Sequence, residues 1–173
     1  VAEKSIHSLS PLLFGYGEDS HRLGEGRELW LGGVRIESER GAIAHSDGDV
    51  ILHALSDALL SAFALGDIGS FFPDHDPKWK GLESRVILEV VLQKVRDNGY
   101  RLGQVSVVVV LDRPKLGPYR TLIQQNLALL TALPEKRVGL TFKTSEGLAP
   151  DHAQCRAMVY LVPLAESAPQ RTS

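Results

Sequence analysis

Val105-Ser106-Val107-Val108-Val109-Val110-Leu111 is a run in which every residue except Ser106 is apolar. Branching at Cβ stiffens χ1 and suits a pleated, packed surface better than a helix. The run is strand-sized, too short for a membrane span, and predicts a buried strand. Helical spacing lies on both sides of it. Before it, Ser84 to Asn98 reads as a helix stopped by Gly99, with Val86, Ile87, Val90, Val91 and Val95 as its inner stripe. After it, Tyr119 to Leu130 reads as another helix, ending before Pro134. A buried strand between two helices sets the class as α/β.

Further out, Leu12 to Gly17 reads as a strand, and Glu28 to Glu37 as a hairpin-like pair folded at Gly32-Gly33. Ser46-Asp47-Gly48-Asp49 supplies helix-starting residues for an apolar helix to about Leu65. Arg137 to Phe142 and Ala153 to Leu161 read as closing strands. The order β-β-α-α-β-α-β-β predicts an α/β (α+β) sandwich, a mixed sheet with helices on one face. The uncovered face would be covered most simply by another copy of the chain, so a homo-oligomer is expected. Residues 1–11 read as an N-terminal extension, 12–164 as a single domain and 165–173 as a C-terminal tail.

The chain has 173 residues, enough for one domain with its own core, and 43% are hydrophobic, which is globular rather than disordered. A net charge of −2 with no run of Lys or Arg excludes an electrostatic nucleic-acid surface. Cys155 is the single cysteine, so no intrachain disulfide can form, a reducing compartment is expected and an all-cysteine zinc site is ruled out. It is expected in the core of the last strand. Val1-Ala2-Glu3-Lys4 leads into no apolar core with a cleavage site, so the default expectation is a soluble, cytoplasmic protein.

Asp19 and His21 are separated by one residue, so on extended backbone both side chains leave the same face. His53 lies on the predicted apolar helix, in a four-residue register with Asp49 and Asp57. Two imidazoles and a carboxylate are a usual protein ligand set for a zinc ion that keeps one position open. Asp49 or Asp57 could orient a ligand imidazole through its second nitrogen. The plainer readings are a polar loop at Asp19 and His21 and the solvated face of an amphipathic helix.

Ala44-His45-Ser46-Asp47-Gly48-Asp49 precedes that helix, where backbone N–H groups favour phosphate; simple N-capping by Ser46 or Asp47 reads equally. Gly66-Asp67-Ile68-Gly69 ends the helix, and Phe71-Phe72-Pro73-Asp74-His75-Asp76-Pro77 suits a lid over a polyol, or an ordinary acidic turn. Leu111-Asp112-Arg113-Pro114-Lys115-Leu116-Gly117-Pro118 and Phe142-Lys143-Thr144-Ser145-Glu146-Gly147-Leu148 are polar loops leaving strand ends, where α/β sheets gather ligands. Lys143, Thr144 and Ser145 suit phosphate oxygens, and Glu146 among phosphates suits a bridging Mg²⁺ or Mn²⁺. No GxGxxG or GxxxxGK[ST] pattern occurs, and no Ser-His-Asp or Cys-His arrangement is readable.

Gly17-Glu18-Asp19-Ser20-His21-Arg22-Leu23, Ala44 to Asp49 with His53, Ala54-Leu55-Ser56-Asp57-Ala58-Leu59-Leu60, Gly66 to Gly69 and Phe72-Pro73-Asp74-x-Asp76-Pro77 closely resemble the 2-C-methyl-D-erythritol 2,4-cyclodiphosphate synthase family. The likeness runs from about Phe14 to Leu161. It implies a homotrimeric lyase of non-mevalonate isoprenoid-precursor synthesis, with active sites between subunits. The implied reaction cyclises 4-diphosphocytidyl-2-C-methyl-D-erythritol 2-phosphate and releases CMP, using zinc and a second divalent cation (Mg²⁺ or Mn²⁺).

Carried over by motif, Asp19, His21 and His53 are zinc ligands, the first two also meeting substrate. His45 and Ser46 contact phosphate, with His45 assisting the transition state. Asp67, Ile68, Gly69 and Phe72, Pro73, Asp74, His75, Asp76 hold the methylerythritol part. Leu111, Asp112, Arg113, Pro114, Lys115, Leu116 and Gly117, with Lys143, Thr144, Ser145 and Glu146, hold the cytidine diphosphate of a neighbouring subunit. Thr144 is the transition-state hydroxyl and Glu146 the ligand of the second metal.

Two departures stand out. Lys143-Thr144-Ser145-Glu146 replaces a Thr-Thr-Thr-Glu pattern, and Asp151-His152-Ala153-Gln154 is shorter than the segment that helps bind an isoprenoid diphosphate on the trimer axis. Arg156 there offers either a positive ring or a plain surface arginine. A zinc phosphodiesterase and a non-enzymatic diphosphate-binding module remain alternatives.

Overall fold

The computed structural model describes residues 12–73 and 81–164. The expectations for Asp74, His75 and Asp76, and for both termini, lie outside the described residues. Five strands form a mixed sheet in the order β4-β1-β7-β5-β6, built from β1 (Leu13–Glu25), β4 (Arg40–Ala42), β5 (Tyr100–Leu111), β6 (Val138–Lys143) and β7 (His152–Pro163). Among the described residues only β5 and β6 pair in parallel. Helix α4 (Arg120–Thr131) makes the crossover between them. The hairpin stands apart as β2 (Leu29–Leu31) and β3 (Val34–Ile36), and Gly32 and Gly33 carry the positive φ its two-residue turn requires.

Strand β5 is less covered than its sequence suggests. Val105, Val107, Val109 and Leu111 are buried, while Ser106 is exposed and Val108 and Val110 are half-buried. Neighbouring β7 alternates in the same way: Ala153, Cys155, Ala157, Val159 and Leu161 are buried, and Arg156 and Met158 are exposed. Helices cover one face of the sheet, and the other face is open in the single chain. Cys155 sits in the core as expected, and burial pushes its thiol well up.

Helix α1 (Val50–Ser61) is the centre of the fold, packed against β1, β7 and α3 (Ser84–Asp97). Ten of its residues are buried, so it has no solvated face and that reading of Asp49, His53 and Asp57 is overturned. It ends before Leu65 because Ala64 and Gly66 adopt left-handed φ, and a short helix α2 (Ile68–Phe71) follows. On α3 the buried face is Ser84, Ile87, Leu88, Val91, Leu92 and Val95. Val86 is only half-buried and Val90 is exposed, because the 3.6-residue period places them to the side of that stripe.

Candidate metal centre and phosphate-binding loops

Strand β1 does not stop at Gly17. It continues through the metal-type motif to Glu25, so Asp19 and His21 occupy a strand and not a loop. Their alternate positions share the helix-covered face with Gly15, Gly17 and Leu23. The two glycines let α1 approach: a Cβ on Gly15 would overlap the carbonyl of Ala58, and one on Gly17 that of Ala54. That close contact places His53 over Asp19 and His21.

The three ligand atoms form a nearly equilateral triangle. Asp19 Oδ2 lies 3.1 Å from His53 Nδ1 and 3.2 Å from His21 Nε2, and the two nitrogens are 3.3 Å apart. Donors about 2.0–2.1 Å from a tetrahedral zinc ion would be separated by roughly 3.3–3.4 Å. Each contact is within hydrogen-bond reach, but an imidazole N–H directed at the carboxylate cannot also serve the other ring, and three lone-pair atoms converging on one point suit a metal ion. The residues therefore fit a divalent metal, with three donors among the described residues. Burial pushes the Asp19 carboxyl up, but the His53 hydrogen bond and the two imidazole charges outweigh it and hold it below the usual range. Burial pulls His53 down, and hydrogen bonding and charge from Asp19 carry it above its ordinary value.

Neither expected acid orients His53. Asp49 is wholly buried and caps α1, accepting from Ile51 N at 3.0 Å and Leu52 N at 3.1 Å. It also accepts from Gly32 N at 2.9 Å and Gly33 N at 2.6 Å, which ties the hairpin turn to the helix. Ser46 and Asp47 are thus not the cap. Asp57 accepts from Ile68 N at 2.7 Å and anchors the turn at Asp67 to Gly69. The second nitrogen of His53 faces Ser84 Oγ at 2.8 Å, with Ser46 Oγ at 3.4 Å. Ser84 is 31 residues away in sequence, and no local signal points to it.

His45 is exposed before α1, and Ser46 Oγ accepts from Gly48 N at 3.1 Å. Asp67 caps α2 by accepting from Ser70 N at 2.9 Å and Ser70 Oγ at 2.7 Å, bonds that keep its carboxyl below the usual range. Phe72 and Pro73 are half-buried beside it.

At the other end, Asp112 organises the loop after β6. Its carboxylate accepts from Ser145 N at 2.5 Å, Ser145 Oγ at 2.6 Å and Gly147 N at 3.2 Å. The Ser145 hydroxyl bond above all lowers its carboxyl. Thr144 Oγ1 donates to Glu146 Oε1 at 2.5 Å, and Glu146 itself takes a left-handed φ of 55°. A cleft of about 1010 Å³ brings Asp112, Arg113, Pro114 and Lys115 to Thr144 and Glu146. Ser38, Glu39, Arg40 and Asp151, which sequence reasoning did not single out as site residues for it, also line it, and Arg40 is ion-paired with Asp151. Lys143 is exposed, whereas Leu111 and Leu116 point into the core and offer a ligand only their backbone. Asp19, His21 and His53 do not line this cleft. On the open sheet face, Arg156 pairs with Glu18 at 3.4 Å.

Residues 12–162 match the YgbB family. A 2-C-methyl-D-erythritol 2,4-cyclodiphosphate synthase of Thermus thermophilus is 62% identical over 147 residues, spanning 85% of this chain and 97% of that protein. A solved structure of a 2C-methyl-D-erythritol-2,4-cyclodiphosphate synthase superposes with a TM-score of 0.84 at 60% identity, covering 86% of this chain and 99% of the other. A form of such a synthase bound to CDP gives 0.83 at 58% identity, over 86% and 99%.

Proposed function

The chain belongs to the YgbB family, and on that footing we propose that it converts 4-diphosphocytidyl-2-C-methyl-D-erythritol 2-phosphate into 2-C-methyl-D-erythritol 2,4-cyclodiphosphate and CMP. Its class is that of the cyclodiphosphate synthases, lyases of isoprenoid-precursor synthesis. The observation that carries the metal-dependent form of the reading is the convergence of Asp19 Oδ2, His21 Nε2 and His53 Nδ1 on one point.

In the proposed reaction an oxygen of the 2-phosphate attacks the diphosphate phosphorus of the same molecule, and the bond to CMP breaks. Both partners are in one substrate, so no protein nucleophile is required. The work of the chain is to hold the two ends together, worth about 7–11 kcal/mol in well-oriented systems. Divalent ions held by Asp19, His21 and His53 and by Glu146 would supply Lewis-acid charge to phosphate oxygens. His45 and Ser46 bind phosphate, Asp67 to Gly69 and Phe72 to Asp76 hold the methylerythritol, and Lys115 and Lys143 to Glu146 hold the cytidine diphosphate. His45 and the Thr144 hydroxyl meet the charge that develops in the transition state.

The active assembly is a homotrimer with the site shared between subunits. Two features support this. The cleft at Thr144 and Glu146 lacks the metal-type residues within one chain. The open sheet face carries Phe14, Tyr16 and Met158 at 63%, 52% and 53% exposure, apolar surface that association would bury. Phosphorus NMR of the protein with substrate, zinc and Mg²⁺ tests the reaction. A cyclic diphosphate with CMP is expected; a linear phosphate would mean a phosphodiesterase, and binding without CMP release a binding module.

A further inference from the structure

We propose that Ser84, backed by Asp47, is the positioning residue for His53, fixing which imidazole nitrogen faces the metal. The inference rests on the metal reading above. His53 turns Nδ1 toward Asp19 and His21, so Nε2 is left on the side away from them. A nitrogen that binds a metal carries no proton, so in a neutral ring the proton resides on Nε2. Ser84 Oγ lies 2.8 Å from Nε2 and accepts that proton's hydrogen bond. The Ser84 hydroxyl then donates to Asp47 Oδ1, and the Ser84 backbone N–H donates to Asp47 Oδ2 at 3.1 Å.

The arrangement is directional. A carboxylate can only accept, so the Ser84 hydroxyl hydrogen is directed at Asp47 and an oxygen lone pair is left for His53. With the tautomer held this way, Nδ1 is the free lone pair. Ser84 is wholly buried and His53 is 6% exposed, so water is a poor substitute for the hydroxyl. The fold supports the relay from two sides. Ser84 opens α3, whose cap residue Glu83 makes no side-chain cap bond, and Asp47 reaches across from the segment before α1 to take its place. One carboxylate thereby caps α3 and aims the ligand carried by α1. Ser46 Oγ, at 3.4 Å from the same nitrogen, is the weaker contact.

The test is zinc affinity of the full chain, read by competition with a chromophoric chelator, together with the melting midpoint of the metal-free protein. Ser84→Ala keeps the backbone bond to Asp47 but leaves buried His53 Nε2 without its nearest partner, so the metal-free midpoint should fall by a few degrees with the chain still folded, while zinc affinity falls about 10–100-fold. Equal zinc affinity in wild type and Ser84→Ala would overturn the proposal and leave the metal reading standing. A wild-type chain that binds no zinc would overturn both. A measurement without any substitution guards against a poorly folding variant: in the metal-free wild type, at a pH where the ring is neutral, nitrogen–proton NMR of His53 should already place the ring proton on Nε2. A proton on Nδ1 would sink the proposal.

Discussion

Gly17 of β1 lies directly beneath the carbonyl of Ala54 on α1, with no room for a Cβ between them. The sheet-to-helix distance at this point decides whether His53, one residue before Ala54, can reach the plane of Asp19 and His21. Gly17→Ala should therefore push α1 outward and separate the ligand atoms. Overpacking of this kind costs about 1–3 kcal/mol. The expected outcome is a lower urea midpoint together with a loss of zinc affinity larger than the stability change alone explains. Wild-type zinc affinity in a folded Gly17→Ala chain would contradict the link between strand contact and ligand geometry.

Asp19→Ala or His53→Ala removes one of three converging donors. Each should lose stoichiometric zinc and CMP release together, with turnover reduced by at least about 100-fold. Metal content by atomic emission and CMP by chromatography check this. Either variant keeping both would refute the ligand assignment.

The Asp19–His53 contact should also set the pH dependence of the metal-free protein. The Asp19 carboxyl is lowered in the fold, so its contribution is present above the unfolded carboxylate range and is lost as pH falls. His53 is raised, so its contribution is present below the unfolded imidazole value and is lost as pH rises through the folded one. Both are fully present between roughly pH 4 and pH 6.5. Thermal melts of wild type against Asp19→Asn, without metal, should differ most in that window and converge outside it. Zinc must displace the His53 proton, so stabilisation by zinc should instead grow as pH rises through the imidazole range.

Asp112 binds the loop of Thr144 and Glu146 through Ser145 and Gly147. Asp112→Ala should free that loop while leaving the zinc ligands untouched. Hydrogen bonds to a charged group contribute about 1.5–3 kcal/mol. The Michaelis constant for the cytidylyl substrate should rise about tenfold or more, with zinc content unchanged. A parallel loss of zinc would show that the two regions are not separable in this way.

Local pattern carried the hairpin at Gly32-Gly33, helices α3 and α4, and the shared face of Asp19 and His21, because each depends on residues close in sequence. The reading failed where distant contacts decide. The polar spacing of Asp49, His53 and Asp57 looks like a solvated stripe, yet α1 is enclosed by β1, β7 and α3 and each polar group has a different partner. The β-branched run at Val105 to Leu111 looks buried on both sides, because strand composition cannot show that the second layer is absent from the single chain. Ser84 was out of reach for the same reason: its role exists only once α3 is docked on α1.

The proposed sharing of sites between subunits makes one prediction that a site within one chain cannot. On that proposal His53→Ala and Thr144→Ala should each be inactive alone, one lacking the proposed metal donor and the other the proposed transition-state hydroxyl. In a mixed trimer, a His53-bearing subunit can neighbour a Thr144-bearing one and rebuild an intact site. Equal co-expression with random assembly would restore about a quarter of the wild-type CMP release, since each site needs a particular subunit on each side. A site formed within one chain would show no recovery at any mixing ratio. Met158→Glu on the exposed sheet face should abolish the recovery and lower the assembly mass in light scattering, because it places charge where Phe14, Tyr16 and Met158 are to be buried.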